Sequence, residues 1–166
     1  GTAPTSSITA SVSDGGLSNS GTETFTFTSS ESTTDFDESD ITVSGGTISS
    51  FTGTGTSYSA TFTPSGDGSK SISIAGGAFT DAAGNSNTGS SSFTYTYDGT
   101  APTSSITASV SDGGLSNSPT ETFTFTSSES TTDLTASDII VSGGGISSFT
   151  GSGTSYTAKF TSAIRA

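Results

Sequence analysis

The chain has 166 residues, fifteen acidic and three basic (Lys70, Lys159 and Arg165), for a net charge of −12, and it contains no Cys, His, Trp or Met. Those absences exclude disulfides, thiolate or imidazole metal sites and the common Ser-His and Cys-His nucleophile systems. The charge has the wrong sign for binding nucleic acid or an anionic membrane surface. Leu, Ile, Val and Phe fill 28 of 166 positions, so few that only their arrangement argues for a fold.

That arrangement is alternation. Ile8, Ala10 and Val12 share one face of a first predicted strand, and Asp14-Gly15-Gly16 follows as a turn. Phe25 and Phe27 mark a second strand, with Thr24, Thr26 and Thr28 facing water. Ile41 with Val43, Ile48 with Phe51, and Tyr58, Ala60 and Phe62 give three more. Ile72 with Ile74 supplies a sixth, and Phe93, Tyr95 and Tyr97 a seventh. Gly45-Gly46, Gly53-Thr54-Gly55 and Gly66-Asp67-Gly68 separate them with residues that tolerate positive φ. The spacing is that of an all-β sandwich. The single candidate for a helical turn is residues 79–84. Asp35-Phe36-Asp37-Glu38-Ser39-Asp40 lacks the Gly and Glu of a calcium-binding EF-hand loop and is read as a solvated loop. The alternating tyrosines are read as packing residues, and Gly143-Gly144-Gly145 as a turn rather than a phosphate loop.

Residues 1–63 return at 99–161, displaced by 98, with 54 of 63 positions identical. A period near a hundred residues is a whole sandwich domain. Residues 1–98 are therefore expected to be one complete domain and 99–166 a second, C-terminally incomplete one. Identity ends after Thr161, and nothing corresponds to the sixth and seventh strands. A sandwich short of two strands exposes strand edges and a core face, and something should cover that gap.

The strings Ser39-Asp40-Ile41-Thr42-Val43-Ser44-Gly45-Gly46, Phe79-Thr80-Asp81-Ala82-Ala83-Gly84-Asn85 and Asp98-Gly99-Thr100-Ala101-Pro102 resemble the bacterial Ig-like repeats found in tandem in giant exported adhesins of the RTX and biofilm type. The resemblance covers essentially the whole chain. It implies tandem immunoglobulin-like Greek-key β-sandwiches of about seven strands, a cell-surface or secreted location, neighbouring repeats of the same chain as partners, and calcium at domain junctions. The second copy lacks a counterpart of Asp81–Asn85. The chain opens inside a repeat, at Gly1-Thr2-Ala3-Pro4, so a targeting segment is expected on another part of the parent protein. No apolar run is long enough to span a bilayer, and no membrane insertion is expected.

If the seven strands run alternately down and up, Asp14 and Asp67 fall at the lower end of the first domain, and Asp98 in the linker. Glu129 and Asp133 fall at the facing upper end of the second. Those five are the candidate calcium ligands at the junction, because calcium takes six to eight oxygen donors and this chain offers oxygen only. Pro102 would stiffen the approach. Glu31, Asp35, Asp81 and Asn85 gather at the upper end of the first domain by the same parity, as the matching site for a preceding domain. Ordinary solvated loop acids are the competing reading for both groups.

No catalytic residue is expected. A Ser-Lys pair would need Lys70 or Lys159, which stand at non-equivalent positions in the two copies, and a glycosidase-type carboxylate pair would lack a Trp to stack the sugar. The expected function is an extender in a surface adhesin. The alternatives are a subunit of an extracellular fibre, assembled when identical chains complement the incomplete second domain, and a carbohydrate- or ice-binding module using the outward Thr and Ser rows.

Overall fold

The computed structural model describes residues 1–163; Ile164, Arg165 and Ala166, in the segment where the two copies diverge, lie outside the described residues. The chain forms two compact units, Gly1–Thr100 and Ala101–Ala166, taken here each by itself.

The first unit has strands β1 (Ser6–Ala10), β2 (Gly16–Ser18), β3 (Glu23–Thr33), β4 (Ile41–Ser44), β5 (Gly46–Pro64), β6 (Gly68–Ile74) and β7 (Phe93–Tyr97). One sheet has the order β1-β3-β5 and the other β2-β7-β6-β4. All pairs are antiparallel except β2 with β7, where Gly16, Leu17 and Ser18 run parallel to Tyr95, Thr96 and Tyr97. The expected sandwich is present, with two differences in how the chain is divided. The predicted first strand breaks after Ala10: Val12 still buries, but the chain crosses to the other sheet and continues as β2, with Gly16 N–H bonding Ser13 C=O at the crossing. The predicted fourth and fifth strands lie in one element, β5, which doubles back on itself near Gly53. There φ is +136°, and an added Cβ would strike the Ser57 carbonyl and the Tyr58 backbone.

Alternation on these strands makes the core. Phe25, Phe27, Tyr58, Ala60 and Phe62 from one sheet face Ile41, Ile72, Ile74, Phe93 and Tyr95 from the other. Phe25 meets Phe93 edge-on at 5.2 Å between ring centroids, and Phe62 meets Tyr95 at 6.1 Å, the T-shaped geometry aromatic quadrupoles favour. Thr24 and Thr28 stay exposed between them. The candidate helical turn at residues 79–84 is a tight turn inside a small hairpin, bridged by Thr80 and Ser86. The loop over 35–40 contains a 3-10 turn, Glu38–Asp40. Its Asp37 side chain accepts from Ser39 N–H at 2.8 Å, while Asp40 accepts from Asp37 N–H at 2.9 Å.

The second unit repeats half of this. Strands β8 (Ser104–Ala108), β9 (Thr120–Thr131) and β10 (Gly144–Ser162) form one sheet in the order β10-β9-β8, with Phe125, Tyr156 and Ala158 buried. Residues 114–116 and 139–142, the counterparts of β2 and β4, are not strands. In the first unit β2 pairs with β7 and β4 with β6. Among the described residues neither segment has such a partner.

Candidate functional site

The upper end of the first unit is built by two loops. Thr33, at the end of β3, forms an isolated bridge with Asp81. Asp35 accepts from the Thr33 hydroxyl at 2.7 Å, and from both the backbone N–H and the hydroxyl of Thr80, at 3.0 and 2.8 Å. Asp81 accepts from Ala83 N–H and Asn85 N–H, each at 2.8 Å, and from Asn85 Nδ2 at 2.7 Å. Of the four residues singled out here, Asp35, Asp81 and Asn85 are brought together through Thr80 and Asp81's own loop, with Glu31 near the end of β3. Hydrogen bonds from Thr33 and then Thr80 hold the Asp35 carboxyl below its ordinary range, and those from Asn85 do the same for Asp81. Their oxygens point at the loops' own donors, so the cluster staples the loop after β3 to the loop after β6.

The lower end is arranged differently from the parity expectation. Asp67 accepts from Gly99 N–H at 2.7 Å and from the Thr100 hydroxyl, which lowers its pKa, the hydroxyl contributing most. Asp98 accepts from Thr100 N–H at 3.3 Å. Asp67 and Asp98 thus meet around Gly99 and Thr100. Asp14 does not join them: it accepts from Thr94 N–H at 2.8 Å, near the start of β7 rather than its end. The reason is the crossing from β1 to β2, which puts Asp14 partway along the sandwich and moves the turn at the end to residues 19–22.

In the second unit Asp133 accepts from the Thr131 hydroxyl at 3.0 Å and lines a shallow cleft with Pro102, Thr103 and Ser104. Glu129 is next to Ser128, whose N–H bonds Thr103 C=O. Among the described residues no group of three or more acidic residues stands close enough to hold a metal ion. The unit-one carboxylates Asp35, Asp81 and Asp67 accept from donors of their own unit's loops.

Three polar residues hold structural roles that the sequence did not mark. Glu23 is 4 % exposed and accepts from the hydroxyls of Ser11 and Ser18, the latter at 2.5 Å, tying both halves of the broken first strand to β3. The signal was the repeat itself: Glu121 accepts from Ser109 and Ser116 in the same way. Lys70 is buried, its Nζ donating to Gly66 C=O at 2.7 Å and lying 5.9 Å from the Tyr97 ring centroid. With its ammonium bonded to a carbonyl, it acts as a structural cation. Buried Asn87 accepts from Phe79 N–H at 3.0 Å and donates to Ala75 C=O at 2.9 Å, fixing the long loop before β7; nothing in its sequence surroundings distinguishes it.

The tyrosines behave as packing residues with a polar tip. Tyr58 Oη donates to Thr33 C=O at 3.0 Å, and Tyr156 repeats the bond to Thr131 C=O at 2.8 Å. Among the described residues no helix is long and apolar enough to cross a membrane. A family model described as bacterial Ig-like domain matches the chain twice, over residues 1–97 and 98–165. No curated protein matches it.

Proposed function

Because the chain belongs to the bacterial Ig-like domain family, matched over both copies, we propose that it is a spacer module of an exported bacterial surface adhesin. Its work is to set distance rather than to catalyse. The observation that carries this reading is where the chain begins and leaves the closed unit. Pro4 C=O is bonded by Thr88 N–H, in the loop ahead of β7, whereas Asp98 N–H bonds Ser18 C=O, at the end of β2. β2 runs parallel to β7, so the two ends of the unit lie at opposite ends of the sandwich. A strand run from Pro4 to Ser18 covers at most about 45 Å at the usual rise. A unit with its ends so placed can contribute its own length to an array. The exposed Thr and Ser and the −12 charge keep a long array soluble.

The test is small-angle scattering on tandem arrays of residues 1–98. The maximum dimension should grow linearly, by about 40 Å per copy. Growth with only the cube root of copy number would overturn the spacer reading.

Calcium bound by the loop acids at the ends of a unit is the finer part of the proposal. What supports it is that Asp67 and Asp98 stand at the C-terminal end of the first unit, and Glu129 and Asp133 beside the N-terminal end of the second. Such carboxylates suit a hard oxygen-seeking cation. Chelation of calcium should lower the melting temperature of the full chain and increase its flexibility in scattering. An unchanged melting curve and profile would remove the ion from the account.

A further inference from the structure

Three Asp-Gly pairs lie in the first unit: Asp14-Gly15, Asp67-Gly68 and Asp98-Gly99. Each needs its glycine. Gly15 and Gly68 have φ of +74° and +105°, which residues with a Cβ rarely adopt, and a Cβ on Gly99 would strike the Tyr97 phenol. The same lack of a side chain leaves the glycine nitrogen unshielded from the aspartate before it. In an Asp-Gly pair that nitrogen can lose its proton and attack the carboxyl carbon, Cγ. A C–N bond forms, water leaves, and a five-membered succinimide closes. Water then reopens either carbonyl, giving back aspartate or giving isoaspartate, in which the main chain runs through Cβ and Cγ. One water leaves and one returns, so the product is an isomer of the starting chain and no oxidant or reductant takes part.

The fold occupies a reacting group in each pair. Gly15 N–H bonds Thr94 C=O at 2.7 Å, and Asp14 Oδ1 accepts from Thr94 N–H at 2.8 Å, so one residue holds both nucleophile and electrophile. The Asp67 carboxylate is engaged by Gly99 N–H at 2.7 Å and by the Thr100 hydroxyl, and in that way it holds the nucleophile of the third pair. Asp98 is anchored through its own N–H, which bonds Ser18 C=O at 2.9 Å, but its carboxyl accepts a long bond, 3.3 Å, from Thr100 N–H. The Thr100 hydroxyl first, and Gly99 N–H second, hold the Asp67 pKa below the ordinary range, so that carboxylate is charged at neutral pH. For Gly99 to react, its nitrogen must give up a charge-assisted hydrogen bond and become an anion 2.7 Å from a like charge, which is strongly unfavourable.

We propose that Asp98 is a latent isoaspartate site and that Asp67 keeps it closed by holding the Gly99 nitrogen. Packing against Tyr97 demands a glycine at 99, that glycine makes the pair reactive, and Asp67 offsets the reactivity. Opening the bond between Asp67 and Gly99 exposes the pair. Conversion then adds one methylene carbon to the main chain at the end of the unit and moves the charged carboxylate onto the α-carbon. The inference rests on neither the spacer reading nor calcium, because the bonds it uses lie within one unit and need no ion.

The test is ageing at neutral pH with a chelator present, so that no cation on Asp67 or Asp98 contributes. Isoaspartate at each pair is measured by peptide mapping with mass spectrometry in the full chain, in Asp67→Ala, and in a free peptide of residues 94–103. Asp98 should convert at least about tenfold more slowly in the full chain than in the peptide, as an amide held in structure is protected. In Asp67→Ala it should approach the peptide's rate, while Asp14 keeps the slow rate of the full chain and so reports that the variant is folded. The Gly99 amide of that variant should also exchange its hydrogen about tenfold faster. Conversion of Asp98 in the unaltered chain at the peptide's rate would overturn the proposal without recourse to any variant. An Asp67→Ala rate equal to that of the full chain would overturn it too, as would a lower one, which would make Asp67 a base that promotes the attack.

Discussion

Glu23 is a carboxylate closed off from water and held by two serine hydroxyls, with Tyr95 beside it. Burial first, and the Glu23 charge second, push the Tyr95 phenol up to about 12. Glu23→Ala should destabilise the first unit by about 0.5–1.5 kcal/mol, because Ser11 and Ser18 lose their acceptor at a part-buried site. Glu121→Ala, at the more open counterpart, should leave the melting temperature unmoved; chemical denaturation of both variants checks the contrast. The loop staples make a second prediction. Asp35 and Asp81 have pKa values held below the ordinary range. Carboxylates of that kind stabilise the fold above their unfolded value of about 3.9, and lose that contribution as pH falls through the folded value. The melting temperature should be flat from neutrality to about pH 5 and fall below about pH 4. In Asp35→Asn that acid limb should be shallower; an identical limb would show that other groups govern it.

At the scale of elements, the apolar alternation located every strand of the first unit except β2, whose Gly16 reads as a turn and whose Leu17 is exposed; elsewhere a core-facing row repeats every second residue whichever sheet it joins. What alternation does not encode is where a strand changes sheets or doubles back. Val12 keeps its inward position although β1 has ended, so the row of Ile8, Ala10 and Val12 reads as one strand. The double-back in β5 depends on Gly53, whose φ of +136° and crowded Cβ direction leave room for no side chain. Gly53→Ala should cost at least about 1–3 kcal/mol in backbone strain alone, whereas Gly66→Ala, at a positive φ with open space around it, should cost less. Urea midpoints would rank the two, and a reversed order would contradict the geometry. The 3-10 turn at Glu38–Asp40 shows the same limit. Its acids read as a solvated loop; in the second copy Thr135 stands where Asp37 does, and Asp138 accepts from Thr135 N–H at 2.8 Å, as Asp40 accepts from Asp37 N–H in the first.

At the scale of the whole molecule, the two copies should differ in cooperativity although their sequences nearly agree. The first has a closed core between two sheets; the second has three strands and an open face. Phe25→Ala should therefore cost about 3–5 kcal/mol, and Phe123→Ala clearly less, because Phe123 has less surface to lose from burial. Calorimetry of the full chain should show one sharp transition that moves with Phe25 and not with Phe123. A sharp transition sensitive to both would mean that the second unit is as well packed as the first.

The sequence by itself determined the class and the repeat: sparse apolar residues in strict alternation can be buried only on strands, and a near-duplicate stretch must attempt the same sandwich. It also placed Glu31, Asp35, Asp81 and Asn85 at one end, since strand parity fixes which loops share an end. Only the tertiary structure decided that Asp14 leaves the lower group, that the clustered carboxylates bond their own loops, and that residues 114–116 and 139–142 of the second copy form no strand. Those outcomes depend on which strand pairs with which, and partners distant in sequence leave no local mark on the residues that await them.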